Sequence, residues 1–436
     1  MLNSTYKSPI SPSVSWYEDS LSERPVYSAL EDDVQCDVVV IGGGFCGLSA
    51  AYHLAKGGSS VVLIEAYRFG DGASGRNGGQ IGTGQRYGVV ELEEQFGFER
   101  AKALFQIAEN AKQNLHDIAG ENNFEYDYLP GQISCLYKAR DVEEEKQFIA
   151  VMNEKYDYDK ISFIDKAKTS ELLGTDLYHG GALDQGTGHI HPMKYVVGLA
   201  KSASNAGAKM CENTKATGIE STKSASGETV IKVKTAKGTI TAQNCIMATN
   251  AYGDDLEPVT ARHVLPIQSF IGATEPLGDE LNVLPEKHSV DDSRFMLRYY
   301  RKTKDNRLLF GGREAYTSAW PTDVGKHIRK QMVELYPHLQ DVPFTHAWGG
   351  SVGITPSRLP FVREVKPGVI SAAGFSGHGV MMANYTGRMM AESLMGKTSE
   401  LDVIKDLDIS AFPGGRTFSK PLLFLALTWF AFLDKF

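Results

Sequence analysis

Gly42, Gly44 and Gly47 stand directly behind the apolar run Asp37-Val-Val-Val-Ile41, and an acid, Glu65, closes the next run, Val61-Val-Leu-Ile64. Residues of these types at this spacing can cradle a dinucleotide. Gly42 lets the chain turn sharply off a strand, Gly44 lets the backbone approach a pyrophosphate, and Gly47 lets a helix pack close to the strand. The amides and dipole of that helix then face the phosphates. Glu65 is placed to accept hydrogen bonds from a ribose diol. Phe45 and Cys46 inside the turn and Ala66 behind the acid complete the expected first set of contacts.

A second concentration of polar chemistry follows at once. Gly72-Ala-Ser74-Gly-Arg76-Asn77-Gly78-Gly79-Gln80 is too polar and too rich in glycine for another strand. It gathers backbone donors, a hydroxyl, a guanidinium and an amide, as contact with an anion or a heterocycle requires. A flexible surface loop is the alternative. Its place directly after the ribose acid makes a flavin dinucleotide a better fit than a nicotinamide one, so FAD is the expected cofactor. A third element, Val369-Ile-Ser-Ala-Ala-Gly374-Phe-Ser-Gly377-His378-Gly379-Val380, runs from an apolar strand through a glycine turn into a helix. Amides at such a helix start can meet the electron-rich side of a reduced flavin. His378 reads equally as a turn residue without a chemical role.

Together these stretches resemble the FAD-dependent D-amino-acid oxidase, glycine oxidase and sarcosine oxidase superfamily, and within it the bacterial γ-glutamylputrescine oxidases. Gly188-His-Ile-His-Pro192, Thr235-Ala-Lys-Gly238, Tyr299-Tyr-Arg, Asn306-Arg-Leu-Leu-Phe-Gly-Gly312 and Phe412-Pro-Gly-Gly-Arg-Thr417 extend the likeness over nearly the whole chain. The resemblance implies an α/β fold: a Rossmann-like, glutathione-reductase-like FAD domain with a β-meander, and a mostly antiparallel α+β substrate domain. It divides the chain discontinuously, with a surface arm at 1–33. The FAD domain takes 34–89, 186–261 and 347–411, the substrate domain 90–185 and 262–346, and an apolar segment covers 412–436.

The elements that must position these residues follow from patterning. Val89 to about Gly120 reads as helical, Gly131 to Tyr137 as a strand, a charged helix starts at Asp141, and Met193 to Ala206 is an amphipathic helix. Thr229 to Thr235, Thr239 to Ala242 and Cys245 to Thr249 read as meander strands, and Ser293 to Tyr300 and Leu308 to Phe310 as further strands.

The substrate chemistry implied by the resemblance is flavin amine oxidation, which needs orientation of a neutral amine more than a general base. Thr355-Pro-Ser-Arg358-Leu-Pro360 resembles a family stretch that approaches the flavin, with Ser357 in place of an acid. Arg358 there reads as a carboxylate binder or a neighbour of the ring, with a structural ion pair as the alternative. Tyr299 and Tyr300 complete the candidate catalytic set, although strand alternation sends Tyr299 and Arg301 to one face and Tyr300 to the other. His189 and His191 read as structural. Ser351-Val-Gly-Ile354 lacks the cysteine that tethers FAD in monomeric sarcosine oxidases, so non-covalent FAD is expected. Leu309 stands near the position of those enzymes' oxygen-activating lysine, which keeps acceptors other than O2 open.

The expected reaction converts the primary amine of γ-glutamylputrescine to an aldehyde, ammonia and H2O2. Alternatives are a dehydrogenase or oxidase of secondary amines or imino acids, and a non-catalytic flavin-binding partner. A net charge of −8 without a basic block argues against nucleic acid. Five scattered cysteines show no metal spacing and suit a reducing, cytoplasmic compartment. No secretory signal is evident at the N-terminus, and Pro421 to Leu433 is apolar but too short to span a bilayer. A terminal helix packed on the protein body is the expectation there, with peripheral membrane contact as the alternative.

Overall fold

A computed structural model of the chain describes residues 8–413, apart from 12, 254–255, 295–296, 316–319 and 399. The apolar run at 421–433 and most of the 412–417 stretch lie outside the described residues.

Two sheets organise the chain. In the first, the strand Val34–Ile41 pairs in parallel with Thr239–Met247 on one side and Val61–Ile64 on the other. Lys209–Cys211 and Val369–Ala373 extend it in parallel, and Phe361–Lys366 closes one edge antiparallel. Residues 38–41 and 61–64 are apolar throughout because both faces of this sheet are covered. Val38, Val40, Val61 and Leu63 face a core built with the helices Phe45–Lys56, Phe98–Glu121, Pro192–Asn205 and Gly379–Leu394. Val39, Ile41, Val62 and Ile64 face a smaller core under the meander. The meander itself is Gly218–Lys223 and Thr229–Lys234 paired onto Thr239–Met247. The two runs read separately at Thr239 and Cys245 are therefore one strand, which serves the meander and the parallel sheet at once.

The second sheet runs in the order 344–354, 265–276, 307–315, 299–302, 289–292, 129–135, 180–189 and 80–81, with 161–165 paired to 180–189. It is antiparallel except where Ser289–Asp292 lies parallel to Leu129–Cys135. The helix Gly325–Leu335 packs on its far face.

Several expectations are corrected. Gln80–Ile81 and Phe344–Ile354 pair into the second sheet, although residues 80–81 and 347–354 were expected in the FAD domain. Phe98–Glu121 buries Leu104, Ile107 and Ala111 in the first core, although it was expected in the substrate domain. Its amphipathic stripe gives no hint of which sheet it will meet. The helical stretch from Val89 breaks at Gly97, whose φ of 79° no β-carbon residue adopts easily. The strand expected at 293–300 divides into Ser289–Asp292 and Tyr299–Lys302. The N-terminal arm is anchored part-way along: Trp16 and Tyr17 are buried, and Tyr17 meets Trp348 edge-on at 5.2 Å, whereas most of residues 22–33 stay exposed or half-buried. Among the described residues no helix is long and apolar enough to cross a membrane, and no cluster could hold a metal ion.

Candidate active site

Backbone closes on the glycine turn at Gly42 and Gly47. A β-carbon on Gly42, whose φ is 108°, would lie 2.7 Å from the Ala248 carbonyl oxygen, and one on Gly47 would lie 1.9 Å from that of Gly42. Gly44 caps the helix Phe45–Lys56, and the Ser74 hydroxyl accepts from the Phe45 amide at 2.9 Å. This serine reaches from the second polar loop to the helix N-terminus, so one contact joins the two motifs. Glu65 accepts from the amides of Gly43 at 2.7 Å and Tyr67 at 3.0 Å. Burial raises its pKa, while those amides oppose the shift.

The polar loop is held by its carbonyls. The Trp348 indole donates to Arg76 O at 3.0 Å, the Tyr17 hydroxyl to Asn77 O at 2.8 Å, Arg301 Nε to Gly78 O at 2.5 Å, and the Ile190 amide to Gly79 O at 2.8 Å. Four successive oxygens are thereby drawn outward by four different segments, and the loop turns its other edge to the cavity. The Asn77 side chain folds the loop on itself, donating to Ala73 O and Ser74 O and accepting from the Gly79 amide. The Arg76 guanidinium is engaged with backbone oxygens, although the residue also lines the cavity. Nε donates to Gly349 O at 2.6 Å and Nη2 to Ser13 O at 3.0 Å, so the side chain braces the loop against the second sheet and the arm.

Three strand ends converge at the glycine turn after Val369–Ala373. Asn250 Oδ1 accepts from the Gly374 amide at 2.9 Å, and the Ser376 amide donates to Gly353 O at 3.0 Å. A β-carbon on Gly374 (φ 73°) would meet Thr355 Cγ2 at 2.5 Å, whereas Gly377 (φ 100°) has nothing within 4 Å of that position. His378 stands at the start of the helix Gly379–Leu394 and in the cavity wall. Burial, and after it the charge of Arg86, pushes its pKa down to about 3, so its imidazole is neutral at physiological pH.

Two cavities meet on Gly44, Ala73, Ser74, Ala248, Asn250 and Ser351. One, of about 780 Å³, runs past Gly42 to Gly44, Glu65, Ala66, Tyr67 and Thr214 to Thr217. The other, of about 270 Å³, is walled by residues 76–80, Gly377 to Val380, Phe45, Cys46, Tyr299 and Arg358. The side chain of Arg358, whose φ is 61°, makes no hydrogen bond or ion pair among the described residues, so no ion pair takes it away from the cavity. Tyr299 lies in the wall with its hydroxyl 3.0 Å from Ser269 Oγ. Tyr300 does not belong to this site. It is buried on the far face, stacked on Phe310 at 5.3 Å and in the same core as Tyr336. Adjacent strand residues face opposite ways, so only one of the two tyrosines can line the wall. His189 accepts from Arg301 through Nδ1 at 3.1 Å and uses Nε2 on Lys287 O at 2.8 Å, while His191 caps the helix Pro192–Asn205. Both imidazoles are structural.

Sequence reasoning missed Arg301 as the loop's anchor, Tyr17 and Trp348 beside it, and Thr214 to Thr217 in the long cavity. Arg86, Gln132 and Asp291 in the short cavity were missed as well. Arg301 lies in the Tyr299-Tyr-Arg stretch but with no sign of the loop it holds; the others carry no motif, and each arrives from a distant segment.

The residues present fit FAD. The glycine cradle, the buried acid and a continuous pair of cavities match a dinucleotide in the long arm and a ring system in the short one. Cys46 is the sole cysteine among the described residues of either wall, and burial pushes its thiol up to about 12. A thiol held protonated is a poor nucleophile for a covalent tether. Acid precipitation of the purified protein is expected to leave all yellow colour in the supernatant, and flavin retained in the washed pellet would contradict this.

Comparison with known proteins agrees with the geometry. The profile of the FAD dependent oxidoreductase family DAO matches residues 37–393. A probable oxidoreductase OrdL of Rhizobium meliloti is 53% identical over 99% of this chain and 100% of its own length. The gamma-glutamylputrescine oxidoreductase of Escherichia coli K12 is 32% identical over 97% of this chain and 98% of its own. The crystal structure of glycine oxidase from Geobacillus kaustophilus superposes with a TM-score of 0.71 at 21% identity, covering 84% of this chain and 96% of that one.

Proposed function

The chain belongs to the FAD dependent oxidoreductase family DAO, and on that premise we propose that it oxidises the primary amine of γ-glutamylputrescine or a closely similar conjugate. The observation that carries this reading is the near full-length likeness to gamma-glutamylputrescine oxidoreductase. That the chain is an FAD-dependent oxidoreductase rests on the family itself.

Bound FAD supplies a two-electron acceptor for the hydride leaving the amine-bearing carbon, and the resulting imine hydrolyses to aldehyde and ammonia. The rest falls to this chain. Amides at the start of Phe45–Lys56 would hold the phosphates, and those at Gly379 and Val380 would offer partial positive charge to an electron-rich ring edge. Ile267, Ile271, Leu297 and the Tyr299 ring give the short cavity an apolar wall that excludes water and lines up an alkyl chain. His378, neutral and in the wall, can accept a hydrogen bond from an uncharged amine but is too weak a base to take its proton. Orientation, not proton abstraction, is thus the protein's contribution.

A second reading, a dehydrogenase passing electrons to another acceptor, draws on Leu309. This residue is buried in the first core, and the described wall of the short cavity holds no lysine.

The test is anaerobic addition of γ-glutamylputrescine to the yellow protein, followed by air. Bleaching with rapid recovery and H2O2 is the expected result. Bleaching with slow recovery would favour the dehydrogenase, and no bleaching of flavin-loaded protein would overturn the substrate.

A further inference from the structure

The short cavity contains polar groups that the amine oxidation does not use. Asp291 sits on Ser289–Asp292 in register with Tyr299 and with Ser134, so it faces the cavity on the same side of the sheet as Tyr299. Its Oδ1 is buried without a hydrogen-bond partner among the described residues. Gln132, from the neighbouring strand, lines the same cavity, and its Oε1 is also buried and unpartnered. Two buried acceptors left open in one cavity are costly, because each is stripped of water without compensation unless a donor arrives. A ligand carrying several N–H donors would satisfy both, and an ammonium has three. Arg86 is an exposed residue of the same wall, and its charge acts on Asp291 and on His378. A guanidinium there matches a carboxylate.

We propose that Asp291, Gln132 and Arg86 form a subsite for the zwitterionic α-amino-acid end of the substrate, with the α-ammonium on Asp291 Oδ1 and Gln132 Oε1 and the α-carboxylate on Arg86. The inference rests on the amine-oxidase reading and deepens it, since it names what distinguishes a γ-glutamyl conjugate from a bare diamine. Burial raises the Asp291 carboxyl pKa, and hydrogen bonding by Ser134, the charge of Arg86 and hydrogen bonding by Gln132 oppose the rise. An ammonium delivered by substrate would oppose it further.

The test separates head recognition from turnover. γ-Glutamylbutylamide carries the head but lacks the amine to be oxidised, and its binding to the holoenzyme is read by calorimetry. Glutarylbutylamide lacks the α-ammonium, and 4-aminobutanoylbutylamide lacks the α-carboxylate. The wild-type protein is expected to prefer the full head over either analogue by at least about tenfold, the range of one charged hydrogen bond. Asp291→Asn should abolish the preference over glutarylbutylamide alone, and Arg86→Gln the preference over 4-aminobutanoylbutylamide alone. If Asp291→Asn loses its flavin or its fold, Gln132→Leu carries the same comparison. Equal binding of the three ligands by wild type, or preferences that survive the substitutions, would overturn the subsite. A wild-type preference without oxidation of γ-glutamylputrescine would overturn the substrate reading and leave the subsite standing. Absence of both would overturn both.

Discussion

Gly47→Ala is expected to yield protein that purifies without flavin and melts well below the wild type. The new methyl group would lie 1.9 Å from the Gly42 carbonyl oxygen and 3.2 Å from Val40. Neither the turn nor the helix can retreat. Gly42 is itself hemmed in by the Ala248 carbonyl, and behind the helix a β-carbon on Gly387 would already lie 2.2 Å from Cys46 O. Overpacking against rigid backbone exceeds the usual cost of a core insertion, so at least about 3 kcal/mol is expected. Any shift that relieves the clash moves the Phe45 amide, and with it the N-terminus that must face the pyrophosphate. The ratio of flavin to protein absorbance and the melting temperature together measure the effect. Gly218→Ala is the control, since nothing lies within 4 Å of its added methyl. It should behave as wild type within about 0.5 kcal/mol. Full flavin occupancy in Gly47→Ala would mean the cradle is looser than its geometry.

Arg301→Met should have the second largest effect, although Arg301 touches neither cavity. Its guanidinium is buried and donates to Gly78 O, Ile190 O, Tyr17 and His189. A methionine fills much of the volume but strands these acceptors, and a cost of about 3–5 kcal/mol follows from several lost charge-assisted bonds. Gly78 O would be freed to rotate toward the cavity, where an oxygen in place of the loop's donor edge disfavours an electron-rich ring. FAD affinity should therefore fall by more than tenfold in variant molecules that remain folded, as read by flavin fluorescence on titration of apoprotein. Arg301→Lys should recover only part of the loss, because one ammonium cannot reproduce the planar fork. Unchanged FAD affinity in a folded Arg301→Met protein would show that the loop holds its shape without this anchor.

The two glycine positions illustrate what was legible. Gly42, Gly44, Gly47 and Glu65 belong to one strand–turn–helix–strand unit, so their spacing announces the unit, although Ala248 and Ser74, which close on it, come from outside. The glycine pattern at 374–379 was legible as a strand–turn–helix passage, although Asn250, Gly353 and Thr355, which hold that turn, come from other segments, and the apolar runs at 38–41 and 61–64 announce a sheet covered on both faces. Alternation correctly separated Tyr299 from Tyr300 but could not say which face would meet the cavity. That choice is made by Phe310, Tyr336 and Val290, which form a core on the Tyr300 side. The arginine in the polar loop was a reasonable ligand candidate by charge, yet its guanidinium found backbone oxygens in the second sheet and the arm. Nothing near Arg76 in sequence foretells Gly349 or Ser13.

By itself, then, the sequence determined the nucleotide-binding unit, the cofactor class and the family. These depend on contacts between residues close along the chain, where steric limits on the backbone leave few alternatives. The tertiary structure decided the rest of the site: the outward turn of residues 76–79, the buried brace of Arg301 and Tyr17, and the open acceptors of Asp291 and Gln132. Each joins segments far apart along the chain. Such contacts arise only once hydrophobic faces have chosen their partners, and the pattern of one strand or helix does not encode which partner that will be.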